Sequence, residues 1–180
     1  MKLKTSIILC SIIATASAPA IANPVWDLYV GATIGAGAQT LFNEDHDKTN
    51  SAQSFGAMFG IDLPVFRVEA EYNYLTEHDF HANLAMVNAY FKMTSTVVKP
   101  YMGLGVGAMF NAKNDKYDDM DLDTSAAYQG MLGVTLGVPT LPFKFDIEGR
   151  AVYIPDVAKD GDNHPDLLHY DARIKIRYVF

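Results

Sequence analysis

The 180-residue chain has a single cysteine, Cys10, and no apolar run long enough for a membrane helix. One cysteine excludes an intrachain disulfide as a brace. A helix that spans a bilayer needs about 20 predominantly apolar residues, and the longest apolar stretch, near the N-terminus, is broken well short of that. Positive charge is also scarce. Fourteen Lys and Arg stand against 21 Asp and Glu, a formal net charge of −7. Binding to phosphate backbones needs a basic surface, so nucleic acid is excluded as an expected partner. A helical period of 3.6 is missing from the chain beyond the first 25 residues. Yet 49% of the residues are hydrophobic, and that surface has to be buried against something.

The N-terminus reads as an export signal. Lys2 and Lys4 make a positive start, Ile7 to Ala14 a short apolar core, and Ala20-Ile21-Ala22 a small-x-small cleavage pattern. Cleavage is expected after Ala22, with Ala18 as the alternative. Cys10 follows Leu9, where lipid attachment wants a small residue, so lipidation is not expected. Residues 1–22 are therefore read as a signal peptide and 23–180 as one domain of 158 residues (180 − 22). Losing Lys2 and Lys4 moves the net charge of that domain to −9.

Within it, apolar residues recur at every second position. Eight segments carry this alternation, at 26–39, 53–63, 66–75, 83–93, 100–110, 126–138, 143–154 and 169–180. Each is about as long as a tilted strand that crosses a bilayer. One face of each segment is apolar, as in Leu28, Val30, Ala32, Ile34, Ala36 and Ala38 of the first, or Tyr170, Ala172, Ile174, Ile176, Tyr178 and Phe180 of the last. Across all eight segments these positions number 45 and none is charged. At the chain's 19% charged content about eight charges would fall there by chance. The opposite faces carry Asp27, Asp62, Arg67, Glu69, Glu71, Lys92, Lys144, Asp146, Glu148, Arg150, Asp171, Arg173, Lys175 and Arg177. These are seven acids and seven bases, interspersed with glycines such as Gly31, Gly35, Gly60, Gly103, Gly105 and Gly133.

The balance decides which face points where. A soluble barrel puts apolar side chains inside and charge outside. Here the charged set is neutral overall, as an enclosed space requires, because an unpaired buried charge is expensive. The uncharged face is rich in aromatics near its ends, which suits two lipid–water interfaces. The fold expected is therefore all-β, an eight-stranded antiparallel transmembrane barrel of up-and-down connectivity. Closure satisfies every backbone group, which an open sheet in lipid cannot do. The connections support this reading. Short ones fall near Pro64-Val65, 94–99 and 139–142, and long ones at 40–52, 76–82, 111–125 and 155–168. Short turns on one side and long loops on the other is the pattern of such barrels, with the long loops outward and both termini in the periplasm.

Three stretches resemble a known family. Leu28-Tyr29-Val30-Gly31-Ala32 with Gly35 and Gly37, Pro100-Tyr101-Met102-Gly103-Leu104-Gly105-Val106-Gly107, and the closing Arg177-Tyr178-Val179-Phe180 together look like the OmpA/OmpX and opacity-type superfamily of small outer-membrane β-barrels. The resemblance covers essentially the whole of 23–180. It implies a place in the outer membrane of a Gram-negative cell, among phospholipid and lipopolysaccharide. It also implies periplasmic chaperones and the barrel-assembly machinery as partners during biogenesis, with Tyr178 and Phe180 as the assembly signal. The large members append a peptidoglycan-binding domain, which this sequence lacks, so no anchoring to the cell wall is expected.

Four constellations could carry chemistry. The first is the inward charge network of Arg67, Glu69, Glu71, Lys92, Asp146, Glu148, Arg150, Arg173, Lys175 and Arg177. Its plain reading is a paired filling of the lumen, since an eight-strand interior is only wide enough for side chains. The sharper reading is a gate, in which salt-bridge partners exchange to open a narrow ion path. The second is loop acidity. Asp118, Asp119, Asp121 and Asp123 offer oxygen ligands for Ca²⁺ or Mg²⁺, but no complete calcium-loop pattern is present, so solvated loops are the favoured reading and no metal or other cofactor is expected. The third is the set His46, His78, His81, His164 and His169, all in or beside the long connections and read as independent surface histidines. The fourth is enzymatic. Some small barrels hydrolyse lipid A acyl chains, which needs a Ser beside a His with an orienting acid. Ser51, Ser54 and Ser125 have no such partner in sequence, so the protein is not expected to be an enzyme. A monomeric structural or surface-interaction barrel is therefore the expected function, with a narrow porin-like channel as the alternative.

Overall fold

The computed structural model describes residues 26–42, 48–77, 80–93, 98–114, 124–137, 141–155 and 166–180. The expected signal peptide lies outside them. They form eight strands: β1 (Asp27–Phe42), β2 (Lys48–Asp62), β3 (Phe66–Glu77), β4 (Phe80–Lys92), β5 (Val98–Asn114), β6 (Ser125–Gly137), β7 (Phe143–Ile154) and β8 (Asp166–Val179). Each pairs with its sequence neighbours, and β8 pairs with β1 to close the barrel. Every pairing is antiparallel. The closing seam is tied off by the Phe180 amide, which donates to the Leu28 carbonyl at 2.9 Å. The β2–β3 turn is as short as Pro64-Val65 suggests, with the Leu63 amide donating to the Phe66 carbonyl at 2.8 Å.

The register gives the barrel its size. Tyr29 pairs with Gly60, then Glu69, Asn88, Gly105, Gln129, Val152 and His169 follow strand by strand, and the path returns to β1 at Gln39. One circuit thus climbs from residue 29 to residue 39, a shear of ten for eight strands. That combination tilts the strands by roughly 40°. The outward row from Leu28 to Ala38 then rises roughly 25 Å, at about 3.3 Å per residue along a tilted strand, which is the height of the apolar band of a transmembrane barrel.

The faces segregate as the alternation demands. Thirty large hydrophobic residues among those described are exposed on the outside, up to 75% for Leu104, while Arg67, Glu69, Lys175 and Arg177 are fully buried inside. Aromatic side chains gather toward both ends of the outer face. Phe66 and Phe91 pack edge-on at 5.5 Å and Phe143 and Tyr178 at 5.3 Å on the short-turn side. Tyr128, Tyr153 and Tyr170 stand exposed toward the long-connection side.

Glycine makes the interior fit. Tyr29, Tyr90 and Tyr101 point inward, and their cross-strand partners are Gly60, Gly103 and Gly133. A Cβ on any of these glycines would press into the partner's ring. A barrel this narrow cannot hold two large side chains at one paired position, so each ring lies over a bare backbone.

The strands run further than the alternation suggests. β5 continues to Asn114 instead of 110, β2 begins at Lys48 instead of 53, and β8 begins at Asp166 instead of 169. The long connections shrink accordingly, to five residues between β1 and β2 and two between β3 and β4. Beyond the apolar band the sequence turns polar, as at Thr49, Asn50 and Ser51, so the hydrophobic period stops while backbone pairing continues.

Gly103→Ala is expected to lower the stability of the detergent-folded barrel by about 1–3 kcal/mol, the usual effect of overpacking, read as an earlier urea midpoint. Gly130→Ala, which adds a methyl where no atom lies within 4 Å, should leave the midpoint unchanged. Equal midpoints for the two variants would contradict the ring-over-glycine account.

Candidate functional site

The one chemically dense place among the described residues is the lumen. Its charges come mainly from three strands. β3 presents Arg67, Glu69 and Glu71, β7 presents Asp146, Glu148 and Arg150, and β8 presents Asp171, Arg173, Lys175 and Arg177, all at inward parity. The β7–β8 register sets Asp146 opposite Lys175, Glu148 opposite Arg173 and Arg150 opposite Asp171. Opposite charges therefore face each other along that ladder, and β3 supplies further partners from across the lumen. Six acids and six bases are buried: Asp62, Glu69, Glu71, Asp146, Glu148 and Asp171 against Arg67, Lys92, Arg150, Arg173, Lys175 and Arg177.

The pairs stack in three levels. At the short-turn end, Arg177 grips Asp146 with a fork, Nε to Oδ2 at 2.7 Å and Nη2 to Oδ1 at 2.8 Å. Asp146 also accepts from Arg67 Nη1 at 3.1 Å and from the Thr135 hydroxyl at 2.6 Å. Asp62 holds Lys92 and, at 3.0 Å, Lys144. Lys144 in turn reaches Asp27 at 3.7 Å at the partly exposed rim. The middle level is built on Glu69, Glu71 and Glu148. Glu69 accepts from Tyr29 at 2.7 Å, Tyr90 at 3.0 Å and Lys175 at 2.9 Å. Arg173 donates to Glu148 Oε1 from Nε at 2.6 Å and to Glu71 from its other nitrogens. The upper level is Asp171, which accepts from Arg150 Nε at 3.0 Å and from the Ser54 hydroxyl at 2.7 Å, with His169 Nε2 at 3.1 Å.

Aromatic rings line the lower half. The Arg67 guanidinium sits 3.9 Å from the centroid of the Tyr90 ring and 4.7 Å from that of Tyr101. Arg177 lies 5.0 Å from the Tyr29 ring. Ring faces stabilise a cation most strongly where water is excluded, so Tyr90 and Tyr101 hold the Arg67 guanidinium, whose Nε and Nη2 lack a hydrogen-bond partner, while the Tyr29 ring adds to the carboxylates that already engage Arg177.

All ten residues read from sequence as the lumen network are buried in the lumen; nine of them join one set of ion pairs, with Asp62 as a link, and Arg150 pairs with Asp171 in a group of its own. Tyr178 and Phe180 meet at the closing seam with their rings 5.2 Å apart. One reading needs correction. His169 is not a surface histidine. It is fully buried, bonded to Asp171, because β8 starts three residues earlier and carries it inside the barrel at the parity of Asp171. His81 is half-buried, stacked on Tyr74 at 5.7 Å and hydrogen-bonded to Thr76. His46, His78, His164 and the acids Asp118, Asp119, Asp121 and Asp123 lie outside the described residues. Among those described, no three His, Cys, Asp or Glu side chains are arranged to hold a metal ion.

The reading from charge alone missed the neutral half of the lumen. Tyr29, Asn88, Tyr90, Tyr101, Gln129 and Thr135 complete the network, with Gln129 donating to Asn88 at 2.5 Å and Asn88 donating to Glu71 at 2.8 Å. The signal was available, because Tyr29, Asn88, Tyr90 and Tyr101 share the parity of a charged residue of their own strand, and Gln129 and Thr135 lie opposite the apolar face of β6.

No protein-family model matches the sequence, and no curated protein sequence matches it. Solved structures do match. Neisserial surface protein A superposes with a TM-score of 0.62 at 18% identity, covering 83% of this chain and 96% of that one. The N-terminal β-barrel domain of Pseudomonas aeruginosa OprF gives a TM-score of 0.56 at 13% identity, covering 83% of this chain and 97% of that one. This chain has the fold of the small eight-stranded outer-membrane barrels.

Arg173→Leu leaves Glu71 and Glu148 buried with Lys175 as the one cation they still share. Removing one partner of a buried ionic cluster typically costs about 3–5 kcal/mol, so the urea midpoint in micelles is expected to fall accordingly. Lys144→Leu, at the partly exposed rim, should cost under about 1 kcal/mol. A small effect of Arg173→Leu would mean that the cluster is not dry.

Proposed function

We propose that this protein resides in the outer membrane as a closed, non-catalytic barrel that acts through its long, acidic connections. The observation that carries the proposal is the inversion of the barrel. Its outside is a continuous apolar surface with aromatic ends, and its inside is a neutral ionic network. A surface of that size cannot face water, whereas hydrocarbon between two interfaces suits it. Phospholipid and lipopolysaccharide are then its lateral partners, and no partner chain is needed to cover it, so it acts as a monomer. The net-neutral, densely bonded lumen supports a structural role for the charges.

Biogenesis follows from the same reading. Residues 1–22 direct export and are removed. Periplasmic chaperones then carry the unfolded chain, and the assembly machinery reads Tyr178 and Phe180. The acids of the long connections, including Asp118, Asp119, Asp121 and Asp123, form an anionic surface toward the outside, where contacts with other cells or solutes take place. A catalytic role finds no support in the lumen. Ser54 donates to Asp171 rather than to an imidazole, and the carboxylate lies between Ser54 and His169. No imidazole is therefore placed to activate the hydroxyl, and the carboxylate that accepts from it is held by Arg150.

One observation favours the channel reading as the second choice. Lys175 lies within ion-pair distance of Glu69, Glu71 and Glu148, at 2.9, 3.9 and 3.4 Å. A cation with three carboxylates in reach can exchange partners without being left unpaired. Planar-bilayer recording separates the two readings. Resolved unitary conductance that changes on Lys175→Met would favour the channel, and silence favours the closed barrel.

The primary proposal is checked on cells. An epitope inserted between Asp118 and Asp119 should be labelled by antibody on intact cells, and one inserted between Ser95 and Thr96 only after permeabilisation. The purified protein should migrate differently on gels before and after boiling. Reversed labelling, or a chain that is monodisperse in water without detergent, would overturn it.

A further inference from the structure

The lumen has a tier that neither the ionic network nor the outer surface accounts for. Leu75, Ala82, Leu84, Met86, Met109, Ala127, Val152, Ile154 and Leu167 form one buried apolar cluster inside the barrel. None is more than 2% exposed. They come from six strands, β3 to β8, and on each they lie on the long-connection side of the polar lumen residues. Leu75 follows Asn73 on β3, Leu84 and Met86 precede Asn88 on β4, Ala127 precedes Gln129 on β6, Val152 follows Arg150 on β7, and Leu167 precedes His169 on β8. β1 and β2 complete the level with Gln39 and Ala52, both buried.

We infer that this tier is a dry plug, and that it, rather than the ionic core, closes the lumen to polar solutes from the outer side. The inference rests on the membrane-barrel reading above and adds to it the place of the seal. Just beneath the plug the lumen is hospitable to polar solutes. Arg150 Nη1 and Gln129 Oε1 are buried there without a protein partner, as are His169 Nδ1 and Gln39 Oε1 at the edge of the plug itself. Groups of that kind are normally met by water or another polar molecule. The ionic levels below likewise offer donors and acceptors throughout. The nine residues of the cluster offer none beyond two thioether sulfurs, so an ion or a polar solute that crosses the level finds polar groups only on the β8–β1 side, at His169 and Gln39, and must shed most of its hydration. Hydrophobic constrictions close pores in this way, by excluding water. An exchange of salt bridges deeper in the barrel does not by itself open a path to the outside.

Thiol accessibility tests the inference. Ser54→Cys, in a chain with Cys10→Ala, puts a thiol on the inner side of the plug at a fully buried position. The probe is a thiosulfonate carrying a fixed positive charge, applied to the protein purified in micelles. Reaction should be slow in the otherwise unchanged barrel. Adding Leu84→Ala with Met109→Ala is expected to raise the rate at least tenfold. Adding Lys92→Ala with Asp62→Ala, at the opposite end, should change it less than twofold. No rise in a plug variant that still shows heat-modifiable gel migration overturns the inference, as does an equal rise from the opposite-end variant. Loss of heat-modifiable migration in the unsubstituted protein would instead count against the membrane-barrel reading itself.

Discussion

Backbone amides and carbonyls cannot be left unpaired in hydrocarbon, and the rest of this molecule follows from that constraint. A helix satisfies them within itself, but no described helix is long and apolar enough to span a membrane. A sheet satisfies them only if its first and last strands meet. The pairing of β1 with β8 from Tyr29–Val179 to Phe42–Asp166 is therefore as necessary as any side-chain contact. Once the sheet is closed, the pleat sends every second side chain into an enclosed space. The sign of the hydrophobic pattern then inverts relative to a water-soluble barrel.

Closure sets a second problem, because eight strands with a shear of ten leave little room inside. The chain meets it by pairing bulk with absence. Tyr29, Tyr90 and Tyr101 each oppose a glycine, Arg177 opposes Gly31 and Arg173 opposes Gly35. It meets the electrostatic problem by strand-to-strand complementarity, with acids and bases facing across β7 and β8 and again across the lumen to β3. Steric and ionic fit are thus solved at the same positions. That coupling accounts for the glycines of β1, β2 and β6, which adjoin the charged strands, and for those of β5, which lie against the inward side chains of β4.

Much of this was legible in the sequence, and the reason is geometric. A strand's period of two does not drift, so the parity of Glu69 and Glu71 assigns Arg67 and Asn73 to the same face without knowledge of the fold. The partners across the lumen were not legible. Arg67 meets Asp146 from 79 positions away, and only shear and strand number bring the two together. Strand ends were lost where the sequence turns polar, and His169 was misplaced with them. The apolar plug was hidden for a different reason. Leu84, Val152 and Leu167 sit at inward parity beside outward Ala85, Ala151, Tyr153 and Leu168, so the alternation there fades and the stretch reads as a strand end.

The separation of faces also answers why the interior is ionic when an apolar filling would pack as well. The outward positions already carry enough hydrophobic surface to hold the barrel in the membrane. If the inward positions were apolar as well, the strands would become continuous hydrophobic runs of a dozen or more residues. Such runs approach the composition at which a segment inserts as a helix while it is still crossing the inner membrane. They would also expose aggregation-prone surface in transit. Inward charges at every second position interrupt each run and keep the unfolded chain compatible with water. They become a cohesive network only when closure removes them from it. The plug fits the same logic. Its apolar residues lie toward the ends of strands, where Thr40, Asn73, Thr76, His81, Asn83 and Ser125 break the run, so an apolar seal is placed without creating a continuous hydrophobic segment.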